Sequence, residues 1–167
     1  MRPSLETARL RLTAVRPGDV EDLHAMFATA AAHMASAGAL PAPAETRTWV
    51  HRRMAVEREH GLVWYVLRDR RTGELIGNCG LFARRTGVAE PELGYEVVHA
   101  HREQGYATEA ARAVLVEADA SGIPRVWVTV RPGNAASLRV AAKIGMVYVR
   151  CEVDDRGELL YLSRARP

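Results

Sequence analysis

The sequence predicts an α/β (α+β) fold, with a mixed, mostly antiparallel sheet of about seven strands, a central parallel pair and about four helices, in the order βααβββαβαββ. Three observations carry this. Short apolar runs of strand length recur along the chain with turn residues between them. One single-faced helical pattern lies between two of these runs, which makes the two strands parallel with a right-handed crossover. The remaining runs are joined by short turns, which makes them antiparallel neighbours.

Taken in order, Ala8 to Val15 alternates apolar and polar residues with period two, the pattern of a half-buried strand, and stops at Pro17-Gly18. Residues 18–34 then place Val20, Leu23, Met26, Phe27 and Ala30 at helical spacing, with Asp19 at the N-terminus. The loop SAGALPAP leads to a second helix over residues 44–60, with a stripe of Trp49, Val50, Met54 and Val56, a basic outer face, and Gly61 as its stop. Leu62–Asp69 and Leu75–Ala83 flank the turn residues RRTGE and read as a hairpin.

The strand ELGYEVV, Glu92 to Val98, follows. From Gly105, the residues Ala107, Ala110, Ala111, Val114, Leu115 and Ala118 form one apolar face of a helix that ends at Gly122 and Pro124. Arg125–Val130 is a buried-type strand, and a helix capped by Asn134 runs to Gly145. MVYVRCEV and ELLYLSRA, around the turn DDRG, close the chain as a hairpin.

A length of 167 residues, 48% of them hydrophobic, fits a single domain over 1–167 with its own core. The net charge of +3 comes from 23 basic residues spread among 20 acidic ones, so no nucleic-acid-binding tail is expected, and anionic ligands are mildly favoured. Cys79 and Cys151 form no CxxC pair and have no histidine at ligand spacing, so the expectation is two small, semi-buried thiols and no metal. The N-terminus lacks the apolar core of a signal peptide and no window is long enough to span a bilayer, so a cytoplasmic protein without a membrane partner is expected.

The chemistry concentrates in VVHAHREQGYATEA, residues 97–110, where a strand gives way to a helix through a positive, glycine-hinged corner. A helix start offers unpaired N–H groups and the positive end of the helix dipole, both suited to phosphate. Gly105 admits close approach, Ala107 keeps the next turn open, and Arg102 adds a forked cationic donor. The spacing Arg-x-x-Gly-x-Ala is neither the dinucleotide fingerprint nor a P-loop.

ELGYEVVHAHREQGYATEA, followed about 25 residues later by NAASLRVAAKIGM, resembles the two signature segments of the GNAT superfamily of acetyl-CoA-dependent N-acetyltransferases. It is nearest to the RimJ/RimL-like branch, whose opening strand and helix LETARLRLTAVRPGD also resembles. The resemblance covers nearly the whole chain. It implies that the strand before the corner splays from its parallel neighbour, with the pantetheine arm of acetyl-CoA in the gap against Val97 and Val98, extending to His99. It further implies a pyrophosphate loop at Arg102, Glu103, Gln104, Gly105, Tyr106, Ala107 and Thr108, and contacts from Asn134 and Ser137 to the pantetheine and thiol. His99 and His101 could lend charge to the phosphates, and Asn134 would also cap a helix with no ligand present.

Attack by an amine on a thioester requires removal of an amine proton and a proton for the departing thiolate. Glu92 and Glu96 lie an even number of residues apart on one strand face. Glu92 matches the family's glutamate and is the first expected base, with Glu96 the alternate. The family's tyrosine acid, seven residues after the asparagine, is replaced here by Ala141. Ser137 becomes the nearest candidate acid, with Tyr95, Tyr148 and Tyr161 as substitutes.

The expected acceptor is an amine, either a small molecule or a protein N-terminus; a homodimer is left open. Trp49, His51, Arg52 and Arg53, with His33, Met34 and SAGALPAP, are the candidate lining, which would suit an acceptor bearing a carboxylate. Two rival classes are an acyl-CoA sensor without turnover and an interaction domain that binds nothing at the corner. Thiol release with an amine panel tests the first, and a thermal shift with acetyl-CoA tests the second.

Overall fold

The computed structural model describes residues 1–28 and 42–166. The chain starts with a strand that the sequence pattern does not announce, β1 (Ser4–Glu6), followed by β2 (Leu10–Ala14). β1 places only Leu5 inward, too little for a periodic signal, so among the described residues the sheet has eight strands where about seven were expected. A 3₁₀ turn (Pro17–Asp19) leads into α1 (Val20–Ala28), which buries Leu23, Met26 and Phe27. Ala30, His33, Met34 and residues 36–41 lie outside the described residues.

α2 (Pro43–His60) ends at Gly61, whose left-handed φ of 69° lets its N–H reach back to Glu57. The hairpin β3 (Trp64–Asp69) and β4 (Leu75–Phe82) pairs as expected, and β5 (Glu92–Val97), α3 (Tyr106–Ala120) and β6 (Arg125–Val130) form the central crossover. α4 (Ala135–Lys143) and the hairpin β7 (Val147–Asp154) and β8 (Gly157–Ala165) complete the chain.

The strands lie in the order β1-β2-β3-β4-β5-β6-β8-β7, antiparallel throughout except for β5 and β6. α3 and α4 cover one face, where Ala110, Ala111, Val114, Leu115, Ala118 and Ala141 meet Leu12, Ile76, Leu93, Val97 and Val128. Small residues on α3 let the helix lie close to the sheet. α1 and α2 cover the opposite face, where Leu23, Met26, Phe27 and Val50 pack on Val15, Trp64 and Val66. α2 fully buries only Thr46 and Val50, with Trp49, Met54 and Val56 half-buried beside them, so it rests on the sheet by a narrow stripe.

The parallel pair is joined only at its start. The sole registered partners are Glu92 and Trp127, and the Trp127 N–H donates to Pro91 O at 2.9 Å. Beyond that point β5 and β6 separate.

The two thiols differ. Cys79 is buried, with its thiol pushed up by burial, whereas Cys151 is exposed on the edge strand β7, so neither is semi-buried. Among the described residues, no helix is long and apolar enough to cross a membrane, and no His/Cys/Asp/Glu cluster could hold a metal ion.

Candidate functional site

β5 determines the geometry of the site. The Val98 N–H donates to Ile76 O on β4 at 2.9 Å. Alternation in an antiparallel ladder then sends the main-chain groups of Tyr95 and Val97 the other way, toward β6, where pairing has stopped. This corrects the expectation for Val98: its N–H is committed to β4 and its carbonyl accepts from the His101 N–H. The strand edge facing the gap belongs to Tyr95 and Val97. The Val97 carbonyl is covered by the Arg102 side chain, with Nε at 3.2 Å.

The corner itself is a short 3₁₀ turn (His99–His101) followed by two left-handed residues, Glu103 at φ 63° and Gly105 at φ 84°. Gly105 is the N-cap of α3, and no side chain caps that helix. The N–H groups of Tyr106, Ala107 and Thr108 therefore open outward with the positive end of the helix dipole behind them. A Cβ on Gly105 would meet only Arg9 Nη2, at 3.6 Å, so the approach to these groups is open.

Side chains of the corner are less involved than the sequence suggested. His99 is exposed, and His101 turns away to Glu74, 2.9 Å from its Oε1. Gln104 folds onto the Ala100 carbonyl.

Arg9, which no local pattern marks, sits beneath the corner. It donates to Gln104 O at 3.0 Å, pairs with Glu109 at 2.7 Å, and lies 4.2 Å from the Tyr106 ring centroid. Burial works against the Glu109 charge, yet the Thr7 hydroxyl and the Arg9 donors hold its carboxyl below the usual range. A groove of about 940 Å³ runs from Gly105 and Thr108 past Arg112 to Lys143.

α4 begins differently. Asn134 Oδ1 accepts the Ser137 N–H at 3.0 Å, a standard cap. The Ser137 hydroxyl is 2.9 Å from the hydroxyl of Tyr95, which also donates to Ser137 O at 3.1 Å. Burial pushes the Tyr95 phenol up to about 12, against the Ser137 hydrogen bond, so it keeps its proton at neutral pH. Of the three substitute tyrosines, this one meets Ser137: Tyr148 is exposed on β7, and Tyr161 stacks against Trp127 and Arg150. Ala141 is fully buried.

Glu92 and Glu96 do share a face, opposite Phe82 and Asn78 with no bulge between them. Both are buried. Glu92 Oε1 accepts the Arg85 N–H at 2.7 Å and Oε2 accepts the Thr129 hydroxyl at 2.9 Å, so the carboxylate also ties β5 to β6 and to the loop after β4. Neither partner is legible in the sequence, because Thr129 lies 37 residues away and Arg85 donates through its main chain. Each carboxylate oxygen still has lone-pair capacity for a water.

Between the two glutamates lies Gly94. A Cβ there would come within 2.7 Å of Trp64 Cη2 and 3.2 Å of Phe82 Cε1, so glycine lets those rings seat on the strand. Arg53 lies over the rings, its guanidinium carbon 4.3 Å from the Trp64 centroid, 5.0 Å from Trp49 and 5.1 Å from Phe82. His51 and Arg52 are exposed, so of the basic run on α2 Arg53 is the residue that turns inward.

A family model described as an acetyltransferase (GNAT) domain matches residues 9–147. The uncharacterized protein YkkB of Bacillus subtilis (strain 168) is 33% identical over 149 residues, covering 88% of this chain and 87% of that protein. A putative GnaT-family acetyltransferase from Bordetella pertussis superposes with a TM-score of 0.86 at 27% identity, over 98% of this chain and all of that one. RimL, a ribosomal L7/L12 α-N-protein acetyltransferase solved with coenzyme A, shares the fold at a TM-score of 0.84, 18% identity and 95% coverage of each chain. The chain therefore belongs to the GNAT acetyltransferase family of acyltransferase enzymes.

Proposed function

We propose that this enzyme transfers an acetyl group from acetyl-CoA to a primary amine by direct attack in a ternary complex, and that it belongs to the RimJ/RimL-like branch. The observation that carries the reading is the gap between β5 and β6, which ends on a helix start open for phosphate. The residues present fit the donor. Tyr95 offers a main-chain donor and acceptor, and Val97 its N–H, to an extended amide-bearing arm, while Gly105 to Thr108 offer N–H groups to a pyrophosphate. Arg102 is the cation nearest that seat in sequence, and the basic groove past Arg112 and Lys143 suits further negative charge.

When bound, acetyl-CoA supplies an acetyl group already activated as a thioester. The chain's own residues manage the protons. Glu92, fixed by Arg85 and Thr129, takes the amine proton through a water, and Glu96 is the second carboxylate on that face. Ser137 donates a hydrogen bond to the sulfur, which departs as thiolate, and is backed by the Tyr95 hydroxyl, which retains its proton. Main-chain N–H groups on the open edge of β5 are placed for negative charge developing on a carbonyl oxygen. Asn134 acts here by capping α4 and so setting the position of Ser137.

The test is a thermal-shift titration with acetyl-CoA followed by thiol release on an amine panel, with the acetylated product identified by mass. Stabilisation together with amine-dependent thiol release is expected. Stabilisation without release by any amine would favour a sensor, and no stabilisation far above micromolar acetyl-CoA would overturn the donor assignment.

A further inference from the structure

On the face of β5 that carries Glu92 and Glu96, Arg53 presents a cation without a counter-charge. Among the described residues its Nε has no hydrogen-bond partner although the atom is buried. Among the described residues no ion pair joins it to Glu92 or Glu96, and the sequence from 29 to 41 contains no Asp or Glu. Its surroundings are aromatic, with Trp49, Trp64 and Phe82 arranged about the guanidinium. Burial lowers its pKa to about 10, with Arg84 and Arg52 adding like charge, so it remains a cation at neutral pH.

A guanidinium retained in such a place is costly unless something pairs with it. The ring faces compensate in part, but they leave the buried Nε–H without a partner, and the planar guanidinium that carries it matches a carboxylate or phosphate. Its position relates it to the reaction. Trp64 presses on Gly94, midway between the two glutamates, so Arg53 stands one ring from the strand edge assigned to acyl transfer.

Resting on the transfer reading above, we propose that the acceptor amine carries an oxyanion, a carboxylate or phosphate, which seats on Arg53 and orients the amine toward the open edge of β5. Arg53 is then a specificity residue. Neutral amines lack the group that completes it.

Matched acceptors test this: an α-amino acid against its amide, an acidic against a neutral tripeptide with a free N-terminus, and phosphoethanolamine against ethanolamine. At least one charged member should be preferred roughly 10- to 100-fold in kcat/KM, as expected for a hydrogen-bonded charge pair, and which pair shows the preference names the source. Arg53→Gln should abolish the preference by raising KM for the charged acceptor, with kcat and the neutral acceptor little changed. Arg53→Lys, which keeps charge but loses the fork, should fall between and serves if the glutamine variant does not fold.

Equal use of both members in all three pairs, or a preference that survives Arg53→Gln, overturns the proposal. If no amine releases thiol, the transfer reading fails separately. Titration of tryptophan fluorescence with acetate and inorganic phosphate then decides the Arg53 site: a saturable change in wild type that Arg53→Gln abolishes supports it, and no change in wild type overturns it.

Discussion

The two sides of β5 solve different problems with different parts of the polymer. On the donor side, the groups that face a ligand are main-chain: the Tyr95 and Val97 edge and the N–H groups after Gly105. On the acceptor side they are side chains: Arg53 over three rings, and Glu92 held by Arg85 and Thr129. A site made of backbone is altered mainly by changing what stands in front of it, and a site made of side chains by changing a single residue. The substitutions below separate the two cases.

The largest effect is expected at the corner. Gly105→Glu places bulk and negative charge against the open N–H groups at a left-handed φ and should abolish stabilisation by acetyl-CoA, a loss of about 2.7 kcal/mol at a ligand concentration of 100 Kd. Gly105→Ala is the control. It bears only the left-handed penalty of about 1–2 kcal/mol and should still bind. Thermal-shift titrations of both variants make the measurement, and normal binding by the glutamate variant would remove the corner from the site.

Next comes Glu92→Gln, which can accept the Arg85 N–H as before but cannot take a proton. The acetylation rate should fall by roughly 10²- to 10⁴-fold with acetyl-CoA affinity unchanged. The acidic limb of the pH–rate profile should vanish; if it persists, the base is Glu96 or water.

Ser137→Ala should cost much less, on the order of tenfold at most, because a coenzyme A thiolate is a competent leaving group and Tyr95 remains. Stopped assays that follow thiol release over a pH series would show this. Asn134→Ala should lower stability by about 1 kcal/mol through the lost cap, a shift of about 2–4 °C in Tm, and leave acetyl-CoA affinity nearly intact.

The smallest effect is a linkage. Because burial raises the Tyr95 pKa from 10.0 to about 12, its contribution to stability is complete below pH 10 and is lost as pH rises toward 12. Tyr95→Phe should therefore flatten the fall in Tm over that window. An unchanged slope would mean that the phenol is not buried as described.

Legibility in the sequence follows the same division. The helix face from Ala107 to Ala118, the cap at Asn134 and the crossover strands were all readable, because helix periodicity and capping are local properties. Gly105 was readable because a glycine at a helix start admits close approach of a ligand, whereas its left-handed φ of 84° is a finding of the structure. β1 escaped because three residues carry no period. The assignment of Val98 failed by one residue, and in a ladder of period two one residue reverses which edge is addressed.

Arg53 sat in a basic run that looked like a solvated face. Only packing against Trp64 and Phe82, from other strands, separates it from exposed Arg52. Tyr95 and Ser137, Glu92 and Thr129, and Arg9 and Glu109 are joined across long stretches of chain, where composition and spacing are silent.

The last of these pairs gives the N-terminal hairpin a wider role. Arg2 and Arg9 grip α3 at Glu117 and Glu109, and Arg9 also touches the loop at Gln104, so the segment that lines the groove beside the corner also holds the helix that opens there. Removal of the first ten residues should loosen the corner from outside it. Over evolutionary time Arg9 and Glu109 should drift only together, so that in sequences of this lineage the two positions are inherited as one character.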